Sequence, residues 1–174
     1  MTEPEPESKP TVSTVSDPVV TEPEPEPKLT VIRKYLEERG GWVWLRSDDG
    51  KEWLRFDDGR LWLRSKYDGW TWLRSDDERL WLRSKNDGWK WLRSEDGWKW
   101  LRSRNYGQAW LKSNDGRAWL RSKDGRAWLG AYFGQLWLRF NDDGKAWLSS
   151  EDGIKWRDDG GLVSIELDPI LLGF

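Results

Sequence analysis

The chain has 174 residues, with 29 Lys and Arg against 31 Asp and Glu, a formal net charge of −2, and neither Cys nor His. This length suits one domain, and the lack of Cys excludes disulfides and thiolate metal sites. No apolar run approaches the roughly 20 residues of a membrane helix, and the first residues are acidic rather than a basic, hydrophobic leader. These features predict no membrane span and, by default, a cytoplasmic protein.

Residues 1–28 form an acidic segment rich in Pro and Glu, in which Thr-Glu-Pro-Glu-Pro-Glu occurs at positions 2–7 and again at 21–26. Such a composition cannot bury enough apolar surface to fold, so we expect a disordered arm. Residues 29–40 predict a short capping helix that presents Leu29, Ile32 and Leu36 on one side and stops at Gly40.

From residue 41 to residue 160 the chain repeats a unit of nine or ten residues, marked by Trp-Leu and by Gly three residues before the Trp. Glu78 stands where one of these Gly residues would be. Such a unit is far too short for a helical repeat unit and fits one strand plus one turn. Gly would supply the positive φ of a tight hairpin loop, and the Asp and Asn before it favour turns. The phased tryptophans are Trp44, Trp53, Trp62, Trp72, Trp81, Trp91, Trp100, Trp110, Trp119, Trp128, Trp137, Trp147 and Trp156.

The repeat therefore predicts an all-β protein of about 13 short strands, arranged as an antiparallel meander in an open twisted or curled sheet. Trp44 would pair with Trp53 across a loop from Ser47 to Gly50. The alternative is a β-solenoid or β-roll with coils of 18–19 residues, because the nine- and ten-residue gaps fall into two alternating sets. Residues 161–174 predict a C-terminal strand and an apolar tail that caps an open sheet edge.

Period-two alternation would place the Trp column and most Lys and Arg on one face of the sheet, and the Leu column on the other. Indole rings beside guanidinium groups can form a platform for a polyanion. Opposite charges on tethered segments also predict that the Glu residues of the arm lie over this cationic face. The predicted ligand-binding residues are Trp70, Trp72, Trp81, Trp89, Trp91, Trp98, Trp100, Arg64, Arg74, Arg83, Arg93 and Arg102.

The composition gives little support for a catalytic function. There is no His or Cys, each repeated Ser stands between Arg and a turn, and the paired carboxylates lack EF-hand or calcium-roll spacing. The sequence predicts no catalytic residue, no metal site and no cofactor. It favours a non-catalytic structural, scaffold or protein-interaction role that includes self-association. The alternative is a binding module whose Trp and Arg face takes single-stranded nucleic acid, an anionic glycan or a cell-surface carbohydrate.

Two short segments resemble known hairpins. Positions 113–119, Ser-Asn-Asp-Gly-Arg-Ala-Trp, resemble the Asp-box hairpin of sialidase-type propellers, and positions 88–91, Gly-Trp-Lys-Trp, resemble the aromatic hairpins of choline-binding cell-wall repeats. Each resemblance covers fewer than ten residues, so neither assigns an activity or a binding residue to this chain.

Overall fold

The computed structural model describes residues 26–76 and 79–163, apart from the side chain of Arg79. These ranges contain fourteen helices and no β-strand, so the predicted antiparallel meander is wrong, and so is the β-solenoid alternative. The chain is a helical repeat with regularly spaced Trp. Its helices are α1 Glu26–Glu38, α2 Trp42–Leu45, α3 Asp48–Trp53, α4 Asp57–Arg64, α5 Gly69–Arg74, α6 Arg79–Arg83, α7 Gly88–Leu92, α8 Glu95–Arg102, α9 Gly107–Leu111, α10 Asn114–Arg121, α11 Lys123–Gly130, α12 Tyr132–Phe140, α13 Asp142–Leu148 and α14 Glu151–Asp158.

The apolar pattern of each unit suits a helix because Gly, Trp and Leu stand at positions i, i+3 and i+4. These positions share one face of an α-helix, whereas adjacent residues of a strand point to opposite faces. In α10 all three members, Gly116, Trp119 and Leu120, are buried. The Trp and Leu columns therefore belong to one core rather than to two faces of a sheet.

A serine begins many of the short helices. Ser122 alone separates α10 from α11, and its hydroxyl accepts a hydrogen bond from the backbone N–H of Gly125 at 3.1 Å. The same hydroxyl donates to the carbonyl oxygen of Trp119 in the preceding helix. This is N-capping, and the acidic residue that follows favours the positive end of the helix dipole. The predicted hairpin loops of Ser, acidic residues and Gly are thus mostly helix starts.

The repeat glycines allow close contact between consecutive helices. Among the described residues, positive φ occurs only at Gly40, Gly41 and Gly160, so the predicted positive φ holds for the opening repeat glycine, Gly41, and is wrong for the repeat glycines from Gly50 to Gly153. A Cβ added to Gly125 would instead overlap the carbonyl oxygen of Trp119 and lie 2.6 Å from the Cα of Leu120. Gly is required because the backbone of the preceding helix occupies the place of a side chain.

The units wind into a coil. Long-range hydrogen bonds between side chains join residues 31 to 35 positions apart, as between Arg83 and Asp115 or Arg33 and Asp68. With units of nine or ten residues, one turn of the coil holds between three and four units. Each unit consequently lies beside the unit four places further along the chain.

Helix α1 covers the first turn of this coil. It begins three residues before the predicted Leu29, buries Leu29, Ile32 and Leu36, and packs against α4. The Arg33 guanidinium donates to both carboxylate oxygens of Asp68, with Nε to Oδ1 at 2.9 Å and Nη2 to Oδ2 at 2.8 Å. Burial raises the pKa of Asp68, but hydrogen bonds from Arg33 and Ser65 and the Arg33 charge outweigh it and lower that pKa overall.

At the other end, the buried side chain of Gln135 in α12 fixes the chain after α14. Its Nε2 donates to the carbonyl oxygens of Leu129 and Leu162, both at 2.8 Å. Residues 161–163 are neither helix nor strand, and the rest of the predicted C-terminal strand lies outside the described residues, as does most of the predicted arm. None of the described helices combines the length and the apolar character needed to cross a bilayer.

Candidate functional site

The thirteen phased tryptophans form a continuous ladder of rings. Each ring centroid lies 5.5–6.2 Å from the next, at interplanar angles of 46–61°. Tyr35 of α1 extends this Trp ladder by one step, 5.9 Å from Trp44. Tilted aromatic pairs at this distance are favourable beyond the area they bury.

The structure places the predicted binding tryptophans in two environments. Four lie within the ladder and are 0 to 8 % exposed: Trp72, Trp81, Trp91 and Trp100. The other three lie off the ladder, with Trp70 buried at 9 % and with Trp89 and Trp98 half-buried against the core. A ligand that stacks on indole can reach a ring face only where the ring is exposed, which leaves Trp89 and Trp98 as the accessible members of the set.

Seven indole N–H groups of the ladder are buried and have no oxygen or nitrogen acceptor within the described ranges. Tilted stacking allows an N–H edge to face a neighbouring ring, which is a weak acceptor. The donor nitrogens are buried and are not available to a ligand. The affected tryptophans include Trp72, Trp91, Trp100, Trp119, Trp128, Trp137 and Trp147.

Within the described ranges, six of the cations that follow a phased Trp by two positions form ion pairs between turns of the coil. Each cation meets a carboxylate of the unit four places further along the chain. That carboxylate lies four residues before the phased Trp of its unit. We call each such pair a rung. The nitrogen–oxygen distances of the rungs run from 2.7 to 3.7 Å. The pairs are Arg55–Asp87, Arg64–Asp96, Arg83–Asp115, Arg93–Asp124, Lys112–Asp143 and Arg121–Asp152.

Two further cations at this position meet an aromatic ring where a rung would have its carboxylate, and we count these contacts as rungs as well. The guanidinium of Arg102 lies 4.0 Å from the ring centroid of Phe133, and that of Arg74 lies 5.9 Å from the ring of Tyr106. Both distances are within the range of cation–π attraction. All five predicted binding arginines thus contact the next turn of the coil, and the structure does not bring them onto one face with the Trp ladder.

The cation at the second position after the phased Trp is absent from most of the last units of the repeat. A cation follows every phased Trp from Trp44 to Trp119 at the second position, but Gly130, Arg139, Ser149 and Asp158 occupy this position in the last four units. These four units are the ones with no unit four places further on in the repeat. The sequence therefore omits most of the cations that would lack a rung.

Open grooves run between turns of the coil beside the rungs. One, of about 510 Å³, is lined by Arg55, Arg60, Asp87, Lys90 and other residues of two turns. Another, of about 430 Å³, is lined by Lys85, Trp89, Ala118, Arg121, Ser122, Lys123 and Asp124, and we call it the Trp89 groove. It combines an accessible indole with three cations.

Lys85 and Lys123 of this groove were missed by the sequence prediction. A signal exists, because Lys66, Lys85, Arg104 and Lys123 recur at intervals of 19 residues, or two units. Two such intervals make four units, and the coil places residues four units apart on adjacent turns. Without the coil geometry, the spacing does not reveal which cations are neighbours.

Within the described ranges, no group of three or more Asp, Glu, His or Cys could hold a metal ion. No protein-family model matches the chain, and comparisons with curated proteins and with solved structures give no match.

Proposed function

We propose that this chain is a non-catalytic helical-repeat protein with a structural, scaffold or protein-interaction role. The burial of the Trp ladder is the observation that carries the proposal. The most unusual residues of the sequence form one continuous core, and most of the repeated cations pair with groups of the same chain. Repeat folds built from such neighbour contacts commonly serve as extended surfaces for partners.

A pair of Trp substitutions tests this role. Trp100→Ala should destabilise the chain by about 3–5 kcal/mol, because Trp100 is fully buried in the ladder. Trp42→Ala is the matched control, since Trp42 is 38 % exposed and should cost about 1 kcal/mol or less. Urea denaturation followed by far-UV circular dichroism measures both. A Trp100→Ala protein as stable as the parent would contradict the scaffold proposal.

Polyanion binding is a second candidate, supported by the charge of the middle of the coil. Residues 79–141 contain 14 Lys and Arg and five Asp and Glu, whereas the flanking stretches 40–78 and 142–163 have more acids than cations. Such a basic zone attracts phosphate or sulfate groups.

Titration with single-stranded oligothymidylate over a range of salt concentrations tests the second candidate. The affinity should fall with salt, and Lys90→Gln should reduce the logarithmic slope by about 0.7 if it removes one phosphate contact. Lys155→Gln, in α14 outside the basic zone, is the matched control. An affinity that is absent, or that does not depend on salt, would reject this candidate.

A further inference from the structure

The basic middle of the coil has more cations than acids, and all five of its acids are already paired. Asp87 and Asp96 pair with Arg55 and Arg64 of the preceding turn, so they neutralise charge from outside this stretch. The remaining acids of residues 79–141, Glu95, Asp115 and Asp124, each pair with a cation inside it. Conversely, three cations of the stretch, Lys112, Arg121 and Arg126, pair with Asp143, Asp152 and Asp159 outside it, so the excess of positive charge stays close to that of the composition.

Several exposed cations of this zone have no carboxylate partner among the residues that the structure describes. They are Lys85, Lys90, Arg104, Arg117 and Lys123. Lys85 and Lys123 line the same groove on adjacent turns, together with Arg121. An anionic segment in the Trp89 groove would meet both unpaired ammonium groups at once.

The Trp89 groove also offers an apolar surface. The Nζ of Lys85 lies 5.6 Å from the centroid of the Trp89 ring, and Trp89 is half-buried. The equivalent pair two units earlier, Lys66 and Trp70, has the same 5.6 Å spacing, but the ring of Tyr106 packs on Trp70 at 5.4 Å. At the corresponding place beside Trp89 the chain has Asp124, whose carboxylate pairs with Arg93 at 3.6 Å, so no aromatic ring takes the place of Tyr106.

We propose that the Trp89 groove is a docking site for an acidic, proline-rich peptide, and that its occupant is the segment 2–7 of the same chain, Thr-Glu-Pro-Glu-Pro-Glu. Alternating Pro and Glu favours the polyproline II conformation, which aromatic-lined grooves recognise with little loss of conformational entropy. Pro4 or Pro6 packs on Trp89, and the flanking carboxylates approach Lys85 and Lys123. The proposal does not depend on the scaffold role.

The tether between the two parts is long enough. Residues 8–25 connect the segment to the start of α1 and span up to about 60 Å when extended. Adjacent turns of packed helices are about 10 Å apart, so the groove lies well within this reach. A tether of this kind provides an effective concentration in the millimolar range, so that an intrinsically weak contact is populated.

Paramagnetic relaxation enhancement on the full chain tests the docking. The protein has no Cys, so Thr2→Cys provides a single position for a nitroxide label. Amide signals of Lys85, Trp89 and Lys123 should broaden in low salt and recover in high salt, whereas the Ser149 signal should not change. Replacing Glu3, Glu5 and Glu7 together by Gln in the labelled chain should abolish the broadening, because it removes the charge and retains the prolines.

Two Lys→Glu substitutions in the labelled chain supply the site control. Lys85→Glu should abolish the broadening at Trp89, whereas Lys66→Glu, beside the covered Trp70, should leave it unchanged. Equal loss in both variants, or broadening spread evenly over Arg104 and Arg117 as well, would show general electrostatic attraction and overturn the assignment of this groove. Absence of broadening in the labelled parent would overturn the docking itself.

Discussion

The close contact at the repeat glycines can be tested within a single helix. Helix α11 contains Gly125, which lies against the backbone of the preceding helix, and Gly130, where a Cβ would find no atom within 4 Å. Neither glycine has a positive φ. The same substitution, Gly→Ala, at these two positions therefore isolates the effect of the helix–helix contact.

The two substitutions should change the free energy of unfolding in opposite directions. At Gly125 the added methyl group meets Trp119 and Leu120 backbone atoms, which can move only if the two helices separate. Forced overpacking of this kind costs about 3 kcal/mol, and the better helix propensity of Ala offsets about 1 kcal/mol. The net loss of about 2 kcal/mol should lower the melting temperature of a chain this size by about 4–8 °C.

Gly130→Ala serves as the control because Ala has the better helix propensity and its methyl group would meet no neighbouring atom. We expect it to be neutral or to stabilise the protein by up to about 1 kcal/mol. Urea and thermal denaturation, followed by circular dichroism at 222 nm, provide the comparison. Equal free energies of unfolding for Gly125→Ala and Gly130→Ala would show that contact with the preceding helix does not require Gly at position 125.

Three further predictions concern polar groups. Ser122→Ala should cost about 1 kcal/mol in urea denaturation because it removes an N-cap, whereas Ser149→Ala, whose hydroxyl caps no helix start, should change little; equal costs would contradict the capping role. A double-mutant cycle of Arg83→Gln and Asp115→Asn should give a coupling of about 0.5 kcal/mol that weakens with salt, and a coupling above about 2 kcal/mol would show a stronger rung than an exposed pair allows. Because the pKa of Asp68 is depressed in the folded protein, the stabilisation from its carboxylate should be complete above pH 3.8, the ordinary pKa, and be lost as the pH falls through the folded pKa. Asp68→Asn should therefore reduce the loss of unfolding free energy at acidic pH. An unchanged loss at acidic pH would contradict this.

Sequence reasoning found the repeat and its phase but assigned the wrong secondary structure. The Gly, Trp and Leu spacing of i, i+3 and i+4 is helical, yet Trp-Leu followed by Asp-Gly also fits a strand and a turn. The unit length favoured the strand, because helices of five to nine residues are marginal alone. In this chain the tertiary contacts of the Trp ladder stabilise them, and such contacts are not visible in a single unit.

Two features could have favoured helices from the sequence. Ser followed by acidic residues is an N-terminal helix signal, and it recurs at Ser47, Ser94 and Ser150. The first helix, with Leu29 and Ile32 on one side, shows the spacing that is easiest to recognise. The Arg and Asp rungs could not be predicted, because pairing residues 31 or 32 positions apart requires the number of units per turn.

The rungs have a consequence for the number of units that the chain can carry. Because most rungs are chemically alike, a chain that lost the nine residues 113–121 would offer Arg83 the carboxylate of Asp124 in place of Asp115. Gain or loss of one unit inside the coil therefore replaces one carboxylate with another at most positions, and the aromatic residues Tyr106 and Phe133 are the exceptions. A gene that encodes such units can change in copy number while the charge pairing of the protein is preserved.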